Sequence, residues 1–337
     1  MRIEENFDLK PHNTFAVSAR CRYFVESDSE AEWLDFAKQY EWKPEQLVIL
    51  GGGSNFLFTE DFDGTVLYPT IPGITLLKEE GGEVLVRAGA GVVWDDFVAW
   101  AVEREYGGVE NLSLIPGHVG AAPVQNVGAY GMEAGDTIDS VEAIDLEQAV
   151  RVRIPGSECG FSYRDSLFKH SWKNRYLITH VTFRLHKNPL YKLEYGSIRE
   201  EIGRLGLPLS VAAVRQAVIG IRTSKLPDVR EWPNAGSFFR NPVVSAEFAA
   251  KLQQQYPAVP LYPAEEGRVK VAAGWLIEQA GWKGKTLGNA GVYDRQALVL
   301  VNRGGATGVE ISCLANAVKK EVFLRFGIWI EPEVNIV

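Results

Sequence analysis

Residues 47–58 read Leu-Val-Ile-Leu-Gly-Gly-Gly-Ser-Asn-Phe-Leu-Phe. The first four are apolar and β-prone, the mark of a short buried strand, and Phe56-Leu57-Phe58 resumes as apolar after the glycines, so the run sits between two short strands. Gly51, Gly52 and Gly53 followed by Ser54 and Asn55 offer consecutive backbone N–H groups and two side-chain donors. Such a nest holds a pyrophosphate, and a plain tight turn explains three glycines equally well.

Upstream, residues 26–42 have helical spacing of Trp33, Phe36 and Ala37 after a Ser/Asp-rich start, so a helix feeds the first strand. Downstream, residues 74–90 (ITLLKEEGGEVLVRAGA) read as two strands joined at Glu80-Gly81-Gly82, and Trp94 to Glu105 as a helix behind Asp95-Asp96. Strands are predicted at 141–144, 150–154, 176–185 and 297–301, and a last one over 328–336. Helices are predicted from the Ser210 cap to about Ile221, and at 245–256, 271–280 and 309–326. Mixed hairpins and helices, without strict strand–helix alternation, give an α+β protein with loose boundaries near 70 and 220.

The densest loop is residues 115–131, IPGHVGAAPVQNVGAYG. Its Pro, Gly and Ala content predicts neither helix nor core strand. Small residues let a flat ligand lie against backbone, while Gln125, Asn126 and Tyr130 add hydrogen bonds and an aromatic edge. By contrast, Gly89-Ala90-Gly91 before Trp94 imitates a dinucleotide-binding turn but lacks the third glycine that lets helix and strand pack, so it reads as a strand-to-helix turn.

Composition narrows the function. Hydrophobic residues at 46% and charged residues at 23% exclude disorder, and no apolar run approaches the roughly 20 residues of a membrane helix. The N-terminal residues do not read as a signal peptide, so a cytoplasmic protein is expected. A formal charge of −8 argues against nucleic-acid and anionic-membrane partners. Any anionic ligand must be held locally. Cys21, Cys159 and Cys313 show neither disulfide nor metal spacing and are expected to be buried packing residues, with no metal bound.

Two segments offer reactive side chains. Tyr163-Arg164-Asp165-Ser166 sets a guanidinium among polar and aromatic neighbours, where it grips a carboxylate or simply pairs with Asp165. In residues 234–242, NAGSFFRNP, Gly236 lets the backbone present the Ser237 hydroxyl, which also suits a turn serine or a cap. A hydrolase triad with His170, His180 or His186 is disfavoured because no GxSxG elbow surrounds Ser237.

Taken in order, HNTF at 12, GGGSN at 51, IPGHVGAAPVQNVGAYG at 115, YRDS at 163, IRTSKLPD at 221, AGSFFRNP at 235 and EPEV at 331 span nearly the whole chain. This ordered set resembles the UDP-N-acetylenolpyruvoylglucosamine reductase family. The resemblance implies a two-part FAD-binding fold of the vanillyl-alcohol-oxidase type, over 1–70 and 71–219. A C-terminal α+β substrate-binding domain follows over 220–327, and residues 328–337 join the first part. It implies FAD contacts from Gly51, Gly52, Gly53, Ser54, Asn55, Pro116, Gly117, Val119, Gly120, Gln125, Asn126, Gly128, Ala129, Tyr130, Gly131 and Arg164. Tyr195, in KLEYGS, matches the tyrosine loop of the longer subtype, which closes over the UDP diphosphate. Tyr163, Arg222, Lys225, Asn241 and Gln296 match further positions near substrate or NADPH.

The implied reaction has two halves: NADPH reduces FAD, then UDP-N-acetylglucosamine enolpyruvate takes its place and is reduced. Arg164 and Glu333 match residues at the substrate carboxylate, and Ser237 matches the general acid. Glu333 helps as a protonated donor or by orienting Arg164. Arg240 stands where Lys is frequent and Asn335 where Arg is frequent, and the chain stops at Val337, earlier than many relatives. A monomer is expected. Two competing readings are a flavin oxidase of alcohols or sugars on the same fold, and a nucleotide-sugar sensor without turnover. No His for tethering FAD lies in Gly51 to Asn55, against the first, and all three catalytic positions are filled, against the second.

Overall fold

The computed structural model describes residues 1–264 and 267–337. The chain divides into two compact units, each assembled from separated segments. The first comprises Met1–Phe7, Cys21–Gly52 and Asp63–Ser224; the second comprises Asp8–Arg20, Gly53–Phe62 and Lys225–Val337. The division falls inside the glycine run, between Gly52 and Gly53.

Two sheets build the first unit. One has the order Arg2–Asp8, Arg20–Ser27, Phe62–Pro69, Leu47–Ile49, the last two strands parallel. The other is wholly antiparallel, in the order Val150–Pro155, Ile138–Asp145, Tyr176–His186, Glu83–Gly89, Ile74–Glu80. Helix Trp94–Val102 covers it. Its acidic first turn, Asp95 and Asp96, suits the helix dipole, and Trp94, Phe97, Val98, Ala101 and Val102 are buried. Phe97 meets Phe183 of the central strand with ring centroids 4.5 Å apart. Each such side chain stabilises the unit by about 1.5–3 kcal/mol through area removed from water. A smaller core joins helix Val211–Lys225 to Ile198 and Ile202.

In the second unit, strands Asn234–Ser237, Val299–Asn302, Ala290–Val292 and Thr286–Leu287 form an antiparallel sheet. Val243–Val244, Val269–Val271 and Leu261–Pro263 form a second. Helix Gly308–Phe326 starts in a capping box, in which Thr307 Oγ1 accepts from the Glu310 N–H and Glu310 accepts from the Thr307 N–H, and it ends on the left-handed Gly327. Phe56–Leu57 pairs in parallel with Asn335–Ile336.

The α+β class holds, and several boundaries move. The helix predicted over 26–42 is Glu30–Gln39, because strand Arg20–Ser27 runs through its start and Ser29 accepts the capping N–H of Glu32. Loop 115–131 contains a helical turn after all. Ala122–Gln125 is helical because Pro123 lies at its N-terminus, where no N–H is needed, and Asn126 ends it with φ 43°. The final strand contracts to Asn335–Ile336, with Pro332 earlier in the segment unable to donate to a ladder. Strand 297–301 becomes Val299–Asn302, and the Ser210-capped helix runs on to Lys225. Helix Ile198–Leu205 and strands Arg2–Asp8 and Phe62–Pro69 were not foreseen.

The cysteine expectation is corrected for Cys313, which is exposed on helix Gly308–Phe326, whereas Cys21 and Cys159 are buried. Burial, with Glu158 nearby, pushes the Cys159 thiol up to about 12, so it carries no thiolate at neutral pH. The folded protein should therefore take up about one equivalent of a thiol-selective disulfide reagent. Cys313→Ser should abolish that uptake, and unfolding the wild type should raise it to all three thiols, which absorbance of the released thiolate measures.

Candidate functional site

In the first unit the two glycine-rich segments meet backbone to backbone. A β-carbon on Gly52 would stand 2.9 Å from Gly117 Cα, and one on Gly51 3.1 Å from Ala121 Cβ. Side chains larger than hydrogen would push these turns apart. Loop 117–120 is also stitched to the segment after Gly89. Trp94 N–H donates to Gly117 O, Val119 N–H to Val92 O and Gly120 N–H to Ala90 O, each at 2.9 Å. The Gly89-Ala90-Gly91 turn is thus a dock for the long loop. The N–H groups of Val119 and Gly120 are spent on it and are not ligand donors.

Further along, Asn126 is buried, donating to Glu133 Oε2 and Ser162 O at 2.8 Å and accepting from Gly135 N–H at 2.8 Å. It fixes the loop against the turn that carries Arg164. Tyr163 and Arg164 are the corner residues of that turn, closed by Ser162 N–H to Asp165 O at 3.1 Å and Asp165 N–H to Ser162 O at 3.0 Å. Arg164 has φ 55°, Tyr130 50° and Asn126 43°, backbone conformations that L-residues adopt at a cost and that cluster at functional sites. The Arg164 guanidinium donates to Gly128 O, lies 3.6 Å from Glu133 Oε1 and stacks 5.2 Å from the Tyr163 ring centroid. Of the two readings of Arg164, pairing with Asp165 is not what holds it; Asp165 binds His170 at 2.8 Å.

Arg222, on helix Val211–Lys225, carries a fully buried Nε with no hydrogen-bond partner among the described residues. Burial lowers its pKa, and Tyr130, Asp95 and Arg164 are the charged or titratable groups it senses. Such a cation is suited to an anion. Tyr195 is 46% exposed and close to Gly131, whose β-carbon would stand 3.2 Å from Tyr195 Cδ2.

In the second unit, Gly53 has φ 65°, and a β-carbon there would lie 1.9 Å from the His12 carbonyl oxygen. Asn13 makes that neighbour rigid: it is buried, donates to Leu9 O at 2.8 Å and Val17 O at 3.0 Å, and accepts from Val17 N–H at 3.0 Å. Ser237 ends strand Asn234–Ser237 beyond a register shift, exposed, with its hydroxyl bonded to no described residue. Phe238 and Phe239 behind it are buried and anchor the turn. Glu333 N–H donates to Phe238 O at 2.7 Å, so Glu333 is fixed beside Ser237.

Asn55 belongs to this same network. Its amide donates to Glu333 O at 3.2 Å, and its carbonyl accepts from the Asn335 N–H at 3.0 Å and the Asn335 amide at 3.2 Å. A residue expected only at a cofactor therefore anchors Glu333, and Asn335 in place of a frequent Arg serves that anchor. Arg240 pairs with Glu331. Asn241 accepts from Ala273 N–H at 2.9 Å, and Gln296 Oε1 would lie 3.3 Å from a β-carbon on Gly274, so both meet the start of helix Ala273–Gln279. Lys225 is exposed at the C-terminal end of its helix.

Asp95, not foreseen, holds the start of the long loop: its carboxylate takes Leu114 N–H at 2.5 Å and Arg215 at 2.6 and 2.9 Å. Burial disfavours the charged form, and Arg215, the Leu114 N–H and Arg222 outweigh it, so the pKa lies below the ordinary value. A depressed carboxylate pKa stabilises the fold above the unfolded-state value of about 3.9, and that stability is lost as pH falls through the folded-state value. Asp95→Asn should cost roughly 1.5–3 kcal/mol at pH 7. In urea unfolding followed from pH 7 to pH 3, the gap from wild type should narrow below about pH 4.

Comparison with known proteins extends over the full chain. A family model described as "FAD binding domain" matches residues 21–153, and one described as "UDP-N-acetylenolpyruvoylglucosamine reductase, C-terminal domain" matches 228–337. Relatives named UDP-N-acetylenolpyruvoylglucosamine reductase include one from Bacteroides fragilis, 48% identical over 99% of this chain and 100% of its own. One from Flavobacterium johnsoniae is 45% identical over 100% of both chains, and one from Pseudomonas putida 44% identical over 99% of this chain and 98% of its own. The crystal structure of the corresponding reductase from Thermus caldophilus superposes with a TM-score of 0.68 at 23% identity, covering 100% of this chain and 99% of that one, and so shares the fold.

Proposed function

The chain belongs to the UDP-N-acetylenolpyruvoylglucosamine reductase family, and from that membership we propose that it is an FAD enzyme. It reduces UDP-N-acetylglucosamine enolpyruvate to UDP-N-acetylmuramate with NADPH, in peptidoglycan precursor synthesis. The observation that carries this reading is 48% identity over 99% of the chain to a reductase of that name.

The residues fit the cofactor. Gly51 and Gly52 lie so close to Gly117 and Ala121 that only small residues bring the two turns together, and such glycine turns present backbone N–H groups of the kind that hold a pyrophosphate. The chemistry that bound FAD supplies is hydride transfer, in from NADPH and out to the terminal enol carbon. Arg164, preset by Gly128 O and Tyr163, grips the substrate carboxylate, into which negative charge develops as hydride arrives. Ser237 gives its hydroxyl proton to the adjacent carbon, a centre basic enough to take it from an alcohol. Glu333, fixed through Phe238 O and Asn55, completes the set. Arg222, Lys225, Tyr195, Asn241 and Gln296 bind the nucleotide portions of the substrates, Arg222 with a guanidinium that no protein carboxylate neutralises directly among the described residues.

We assign the working state to a cytoplasmic monomer; no helix of the described residues is long and apolar enough to cross a membrane. Light scattering of the 37.4 kDa chain tests the oligomeric state.

Purified yellow protein should oxidise NADPH catalytically only when UDP-N-acetylglucosamine enolpyruvate is supplied. Peroxide release on alcohols or sugars with no use of NADPH would instead identify an oxidase. Ser237→Ala should slow the second half-reaction by about 10²–10⁴-fold while flavin bleaching by NADPH stays near the wild-type rate, both read by stopped-flow absorbance. Equal loss in both halves would contradict the acid role.

A further inference from the structure

His118 occupies the centre of the Pro116–Gly120 turn, and nothing above gives its side chain a task. The ring lies along the Gly51-Gly52 turn: its Cδ2 is 3.4 Å from where a Gly52 β-carbon would stand, and its Cβ 3.9 Å from the equivalent point on Gly51. Tyr68 packs on it with centroids 6.0 Å apart at 45°. Its Nδ1 is sealed from solvent and has no hydrogen-bond partner among the described residues. Nε2, the ring nitrogen bonded to Cδ2 on the Gly52 side, is not sealed and is also unbonded to any described residue.

These facts select one tautomer. A proton on Nδ1 would be a buried N–H with no acceptor, a cost in the range of a lost hydrogen bond, whereas a bare Nδ1 lone pair is better tolerated. The neutral ring therefore carries its proton on Nε2. Imidazolium would need the same unpaired Nδ1–H, and burial indeed holds the His118 pKa below its ordinary value. The adjoining Val119 and Gly120 N–H groups are already committed to Val92 O and Ala90 O. The Nε2–H thus stands as a fixed donor beside the Gly51-Gly52 turn, in a loop whose Val119 and Gly120 N–H groups are already used.

We propose that His118 is a cofactor-holding residue, donating a hydrogen bond from Nε2 to a diphosphate oxygen of FAD bound at the Gly51-Gly52 turn. The proposal rests on the FAD reading above.

The test uses the full chain stripped of flavin and titrated with FAD by fluorescence quenching. His118→Ala should weaken FAD binding about 10- to 100-fold, the range for one hydrogen bond to a charged acceptor. His118→Gln, whose amide nitrogen reaches the place of Nε2, should stay within about threefold of wild type. The apoprotein melting temperature should be the same in all three, and the ³¹P resonances of bound FAD should move in His118→Ala. Wild-type affinity in His118→Ala, unmoved ³¹P lines, or equal loss in both variants together with a lowered apoprotein melting temperature would each overturn the proposal. The FAD reading fails separately, through a wild-type chain that binds no FAD.

Discussion

Between Gly52 and Gly117 there is no room for a β-carbon, and much of the first unit is arranged to keep that approach. Leu47–Ile49 delivers Gly51 and Gly52 from a parallel pairing with Phe62–Pro69, while the long loop is pressed from behind by its bonds to Val92, Ala90 and Trp94. The Trp94–Phe97–Phe183 core fixes helix and sheet under it. Asp95, one residue beyond the buried Trp94, then pins the loop's first residues through Leu114. Hydrophobic burial supplies the rigidity, and backbone hydrogen bonds convert it into the placement of two turns. Two turns of bare backbone need this, since glycine contributes no packing of its own.

Electrostatics follows a parallel logic. A chain with formal charge −8 repels anions at long range, and the proposed substrates are phosphorylated and carboxylated. Positive charge is accordingly local: Arg164 is held at the corner of a strained turn, and Arg222 is half-buried with an Nε that has no partner among the described residues. Arg215, by contrast, is neutralised by Asp95 at bidentate distance. Two arginines on one helix thus differ: one is paired with Asp95 and holds the loop, and the other keeps a buried Nε with no partner among the described residues.

What the sequence made legible were features enforced by composition. Glycine and proline runs reveal the loops, and the capping residue Ser210 reveals a helix start. The ordered motifs identify the family. Less legible were strands such as Phe62–Pro69, whose Asp63, Gly64 and Thr65 hide a pairing that only tertiary burial supports. The helical turn Ala122–Gln125 was hidden by the same small residues that mark the loop. Partnerships across long separations were invisible. No local pattern says that Asn55 anchors Glu333, that Val119 and Gly120 spend their N–H groups on a neighbouring segment, or that His118 has one sealed ring nitrogen. Cys313 was misjudged because cysteine is usually buried, and here it falls on the solvent side of an amphipathic helix.

The bond from Asn55 to Glu333 O, with Thr59 Oγ1 to Val337 O at 2.8 Å, spans 278 residues of chain. At ribosomal rates of about 5–20 residues per second, the first partner of each pair waits roughly 15–55 s for the second to be made. Over that interval the segment Gly53–Phe62 has neither its parallel strand nor the helix Gly308–Phe326, against whose first residue Phe58 packs so tightly that only glycine fits. Assembly of the second unit thus waits for residues 333–337, and Ser237 gains Glu333 as its neighbour only after that stretch has been made.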